Sequence, residues 1–147
     1  MSPPRLWGRD PVRMARPFHK ITHIETTSIG GEKTPAAINK WVNRQIRYRK
    51  DKRDFWDDPK VTLARGSGDC EDIALVKIAM LQSIGVPAWL LVVYDKLARM
   101  HHAVALTQTD ILDLHVPRLL PIEIVPDYRP ILALTPQETW LYGKVAA

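Results

Sequence analysis

Residues 73–84 read Ile-Ala-Leu-Val-Lys-Ile-Ala-Met-Leu-Gln-Ser-Ile, and in a helix their apolar side chains would occupy nearly every face. Such a helix has no side to turn toward water, so it must lie in the middle of a domain with other elements packed around it. Both of its ends are marked in the sequence. It begins near Asp69 or Cys70, after Gly66-Ser67-Gly68, and it stops at Gly85, which suits the left-handed position after a helix, with Pro87 blocking continuation. Cys70 is the only cysteine of the chain and falls in the first helical turn. There, unpaired backbone N–H groups and the positive end of the helix dipole favour a thiolate. A small buried cysteine without chemistry is the alternative.

The flanking segments say what surrounds that helix. Residues 1–33 are rich in Pro, Arg, Gly and Thr without a sustained period, which predicts a loosely ordered basic arm with one short strand around 20–25, ahead of a single domain over 34–147. Thr34 is an N-cap candidate with Pro35 at the first helical position, and Ala37, Ile38, Trp41, Val42, Gln45 and Ile46 follow at helical spacing. From 48 to 65 the pattern breaks into charges, Trp56, Pro59 and a short apolar run, the composition of a structured loop. Three β-like runs follow at 88–94, 102–107 and 110–114, the last two joined by Thr107-Gln108-Thr109-Asp110, short enough for a tight antiparallel hairpin. Pro117, Pro121, Pro126 and Pro130 punctuate an extended segment, and 135–140 reads as a last short turn or helix. Helices first and a meander afterwards make the class α+β.

Composition narrows the functional classes. A chain of 147 residues, 46% hydrophobic, is the size of one domain with a real core. One cysteine excludes an internal disulfide framework and any cysteine-based zinc site. No segment is long enough to span a membrane, and no signal-peptide pattern follows the N-terminal arginines, so the chain as written reads as cytoplasmic, or periplasmic if a leader has been removed. The net charge is +5, with much of the excess before residue 54, including Arg44-Gln45-Ile46-Arg47-Tyr48-Arg49-Lys50. No nucleic-acid module accompanies it, and a solvated helix face with a basic tail explains it more simply than bound nucleic acid.

The hairpin carries the chemistry. If it turns on Gln108 and Thr109, Val104 lies opposite Asp113, which places His102 and Asp113 diagonally on one face and turns His101 the other way. A thiolate at a helix start, an imidazole on a strand and a carboxylate on its neighbour are the parts of a cysteine acyl-transfer site. His115 is an alternative imidazole on the same face.

The run Gly66-Ser67-Gly68-Asp69-Cys70-Glu71-Asp72-Ile73-Ala74, followed by Leu81-Gln82-Ser83-Ile84-Gly85-Val86-Pro87-Ala88, resembles the core of the transglutaminase-like superfamily. More narrowly, it is similar to the bacterial transglutaminase-like cysteine proteinases of LapG-like type. The helix upstream with Ile46 and Tyr48, Phe55-Trp56-Asp57-Asp58-Pro59, His102-Ala103-Val104 and Leu112-Asp113 match the same layout, over about residues 35–143. The resemblance implies a papain-like α+β fold with the nucleophile at the N-terminus of a central helix packed on an antiparallel sheet. It also implies a Cys70, His102, Asp113 triad that hydrolyses a peptide bond in a protein or peptide substrate through a thioester. For LapG-like members it implies calcium dependence, with Asp69 and Glu71 as ligands and Asp72 a weaker third. Capping of the helix by these same acids is the alternative. The Cys70 N–H is the natural oxyanion donor, with a second expected from the 56–58 loop. Ile73 stands where an aromatic is common, and Leu114 where an asparagine is usual. Two other outcomes stay open: capture of the thioester by an amine, as in a transglutaminase or amidase, and a non-catalytic protein- or nucleic-acid-binding module of the same fold.

Overall fold

The computed structural model describes residues 1–14, 29–50, 58–125, 127–135 and 138–143. In chain order its elements are strand β1 (Pro11–Met14), helix α1 (Pro35–Gln45), strand β2 (Arg47–Tyr48), helix α2 (Pro59–Arg65), strand β3 (Ser67–Gly68), helix α3 (Cys70–Ser83), then strands β4 (Trp89–Asp95), β5 (Met100–Leu106), β6 (Asp110–Leu112), β7 (Leu120–Pro121), β8 (Tyr128–Leu134) and β9 (Thr139–Tyr142). Seven strands form one sheet in the order β1-β9-β8-β4-β5-β6-β7, with every neighbouring pair antiparallel. Beside it β2 and β3 form a two-stranded parallel ribbon.

α3 is the buried helix that its apolar sequence requires. Its residues share one core with Ile38 and Val42 of α1 and with Leu90, Ala103, Ala105 and Leu112 of the sheet. The helix starts in a capping box, Asp69 accepting from the Asp72 N–H at 3.0 Å and Asp72 accepting from the Asp69 N–H at 3.3 Å. It ends with Gly85 N–H on the Gln82 carbonyl and Val86 N–H on the Leu81 carbonyl, a Schellman pair made possible by the positive φ of Gly85. α1 is capped by Thr34, whose hydroxyl accepts from the Ala37 N–H, with Pro35 at the first position.

Four segments differ from the sequence expectation. α2 occupies part of the expected loop: Asp58 caps it, Pro59 starts it and Gly66 stops it in the left-handed region, but seven residues are too few to show a period. β8 runs through Pro130, which has no N–H to give to a ladder. The structure absorbs it at a bulge, where Val92 pairs with Leu132 and Val93 with Pro130, leaving Ile131 without an opposite residue. Residues 139–142 form strand β9 rather than a turn or helix. Finally, residues 1–14 are not loose: Leu6 is buried in the second core, on the sheet face away from α3, the Tyr142 hydroxyl donates to the Pro4 carbonyl, and β1 pairs with β9. The strand expected around 20–25 and the Trp56 loop lie outside the described residues. Among the described residues, no helix is long and apolar enough to cross a membrane.

A lysine interrupts the apolar surface in the middle of α3. Lys77 is 0% exposed, and among the described residues its Nζ has no hydrogen-bond partner. Burial pushes its pKa down to about 7, against a smaller upward pull from the charge of Asp113. From pH 10.5 down to about 7 the unfolded chain therefore binds a proton that the folded chain refuses, and stability falls as pH falls across that window. Lys77→Met should remove this penalty, raising unfolding stability at pH 7 by about 1–3 kcal/mol and flattening its dependence on pH between 7 and 10.5 in denaturant titrations. An unchanged slope would mean that Lys77 is charged in the folded state.

Candidate active site

The nucleophile position is built by the residues before it. Gly66 takes a φ of +72° to end α2, and a side chain on Gly68 would bring a Cβ within 2.8 Å of the Asp72 Cβ, so only glycine lets β3 lie this close to the start of α3. Asp72 is fully buried, committed to the capping box and 3.8 Å from an Arg65 nitrogen. Its carboxylate thus helps to hold the helix start. Cys70 follows the cap directly, half-buried, with its Sγ 3.3 Å from Glu71 Oε2.

The register of the β5–β6 hairpin brings the other two groups together. Ala105 pairs with Leu112 and Leu106 with Ile111, so the ladder runs on toward Val104 facing Asp113. His102 Nε2 lies 2.9 Å from Asp113 Oδ1. His101 is exposed and turned away, edge-on to Tyr94. His115 does not compete for the carboxylate: its ring stacks on His102 at 5.0 Å between centroids, and only its backbone N–H donates to Asp113 Oδ1.

Asp113 is nearly fully buried, and burial alone would raise its pKa. Hydrogen bonding and charge from His102, with further bonds from the Tyr128 hydroxyl and the His115 N–H, outweigh that and lower it to about 2. The carboxylate is thus ionised throughout the neutral range, and its bond to Nε2 leaves Nδ1 as the nitrogen available for proton transfer.

Three residues of this site carry no mark in the sequence. The Tyr128 hydroxyl, 2.5 Å from Asp113 Oδ2, comes from β8, a strand obscured by its proline. Asn43 donates to the Asp113 carbonyl at 3.0 Å, and Asn39 donates to the carbonyls of Val116 and Pro117, so α1 holds the loop that follows β6. The only available signal was their i, i+4 spacing at the edge of an apolar stripe. Leu114 packs against the core, so the surroundings of His102 come from His115 and Tyr128 instead.

The charge state of Cys70 differs from the expectation for a helix start. Burial, the charge of Glu71 and, more weakly, that of Asp69 push its pKa up to about 12, while the Ala103 amide acts the other way. The acids that suit the helix dipole oppose the thiolate. They also oppose each other: burial raises the pKa of Asp69, and Glu71 raises it further. Among the described residues, His102, Asp113 and His115 present ligand atoms within 4.8 Å of one another, but a cation there would part His102 from its carboxylate.

Known proteins share the fold that holds these residues. A Legionella pneumophila LapG structure superposes with a TM-score of 0.67 at 26% identity, over 73% of this chain and 66% of that one, so the chain spans just under two thirds of that protein. Calcium-bound LapG from the same organism matches at 26% identity over 76% of this chain and 71% of that one, again with a TM-score of 0.67. An EGTA-treated form, at 24% identity, shares the fold with a TM-score of 0.70. No curated protein sequence matches. Residues 20–119 match the description of the bacterial transglutaminase-like cysteine proteinases, and the chain belongs to that family.

Proposed function

We propose that the protein is a cysteine peptidase in which Cys70 is the nucleophile, His102 the general acid and base, and Asp113 the group that orients His102. The observation that carries this reading is the buried His102–Asp113 pair at 2.9 Å, one residue from Ala103, whose backbone amide draws the Cys70 pKa down. The Cys70 proton passes to His102 Nδ1 as sulfur bonds to the peptide carbonyl carbon, and the carbonyl π electrons move onto oxygen, which the Cys70 backbone N–H stabilises. The tetrahedral species collapses, the C–N bond breaks, and His102 returns the proton to the departing amine. Water then attacks the thioester while His102 takes one of its protons, the C–S bond breaks, and the product acid leaves as Cys70 is regenerated.

We further propose that Asp69 and Glu71 bind calcium. Their carboxylates are hard oxygen donors brought together by the turn, with Asp69 Oδ1 used by the cap, and a calcium-bound LapG among the similar structures favours calcium as the ion. Bound there, the ion would offset the negative charge that opposes the Cys70 thiolate.

Digestion of a proteome-derived peptide library tests the first proposal. Cys70→Ala should abolish cleavage, and His102→Ala and Asp113→Asn should each lower kcat/KM by about a thousandfold or more. Cleavage that persists in Cys70→Ala would overturn it. If added amine diverts nearly all of the acyl-enzyme from water, the enzyme is an acyl transferase instead.

The second proposal is read from alkylation of Cys70 by iodoacetamide at pH 8. Calcium should speed alkylation of the wild type relative to EGTA, because a lower thiol pKa means more thiolate. In EGTA, Glu71→Gln should also react faster than the wild type, since a carboxylate that raises the thiol pKa is gone, and it should no longer respond to calcium. A wild-type thiol indifferent to both additions would sink the calcium assignment.

A further inference from the structure

An open cleft of about 540 Å³ runs along β2 and is lined by residues 43–49 and 65–67. Arg44, Arg47 and Arg49 all border it, all three are exposed, and among the described residues none of them is paired with a carboxylate. Such a cluster without counter-charges repels itself, and a ligand with negative groups relieves that. The cleft borders the chain just before the nucleophile. Its wall includes Ser67, three residues before Cys70, and Tyr48, whose phenol feels the charges of Cys70, Asp69 and Glu71.

The backbone adds a second, independent feature. The Arg47 N–H donates to the Gly66 carbonyl and the Arg49 N–H to the Gly68 carbonyl, so these residues spend their main-chain groups on the β3 side. By the alternation of a strand, the N–H and C=O of Tyr48 point to the opposite edge, where no described strand lies. An extended peptide can pair with such an edge, its side chains reaching to both faces. A nucleic acid has no row of N–H and C=O groups to offer it.

We propose that this cleft is the substrate groove and that it selects extended peptide segments bearing Asp or Glu, held by Arg44, Arg47 and Arg49 while the scissile bond lies at Cys70. The inference rests on the peptidase reading and adds its substrate class. Guanidinium groups suit carboxylates because both are planar and can pair through two bonds. Asp69 and Glu71 flank the nucleophile and repel like charge, so the acidic residues of the substrate are set back from the scissile bond, on one side of it.

Two measurements test the groove separately from the chemistry. In the library digest, wild-type cleavage sites should be enriched for Asp and Glu on one side of the cut, and Arg47→Gln/Arg49→Gln should lose that enrichment while its Cys70 alkylation rate stays unchanged. In fluorescence anisotropy with Cys70→Ala, an extended Glu-bearing peptide should bind about five- to tenfold more tightly than its Gln-bearing counterpart at low ionic strength. That margin should shrink with salt and vanish with the two arginine substitutions. Cleavage without acid preference, together with equal binding of the two peptides, would overturn the groove and leave the peptidase intact. Selective binding without any cleavage would keep the groove and overturn the peptidase. A single-stranded oligonucleotide that outcompetes the Glu peptide through the same arginines would replace the peptide with nucleic acid.

Discussion

The carboxylate of Asp113 is the point on which the rest of the site depends. An ionised acid in an apolar interior is costly unless donors surround it. Here the donors come from separate parts of the chain: the His102 ring from β5, the Tyr128 hydroxyl from β8, and the His115 N–H from the loop after β6. Asn43 of α1 fixes the main chain of the same residue. Helix and sheet must therefore be docked before the charge can be accommodated, and once it is, the His102 ring has one orientation.

The start of α3 is governed by a conflict rather than by agreement. Asp69 and Asp72 satisfy each other's N–H groups, the local solution that a helix end calls for. Glu71 suits the same positive end, yet its carboxylate accepts from the thiol and favours the protonated sulfur. What stabilises the helix start therefore works against the reactive form of its first residue, unless positive charge is brought to the acids.

Much of this was legible in the sequence, and the reasons for the failures are physical. α3 was readable because an all-round apolar helix between a glycine turn and Gly-Val-Pro has one architectural meaning. The adjacency of His102 and Asp113 was readable because a two-residue turn fixes the register of a hairpin. α2 was hidden because seven residues carry too little periodicity, and β8 because Pro130 argues against a strand unless a bulge receives it. Asn39, Asn43 and Tyr128 act on carbonyls and a carboxylate far away in the chain, and no local pattern reports such partners. The raised pKa of the thiol was not legible because the helix dipole is a generic field, while burial and a neighbouring carboxylate are particular to the folded site.

The pairing of β1 with β9 joins the first described strand of the chain to the last. On a ribosome, β1 would emerge early and wait through the synthesis of nearly every other element before its partner exists. Until then β8 lacks one neighbour, and the sheet face that Tyr142 helps to cover remains exposed to other chains. Nascent molecules are thus vulnerable to edge-to-edge association during that interval, and the completed fold closes the opening only when β1 and β9 meet.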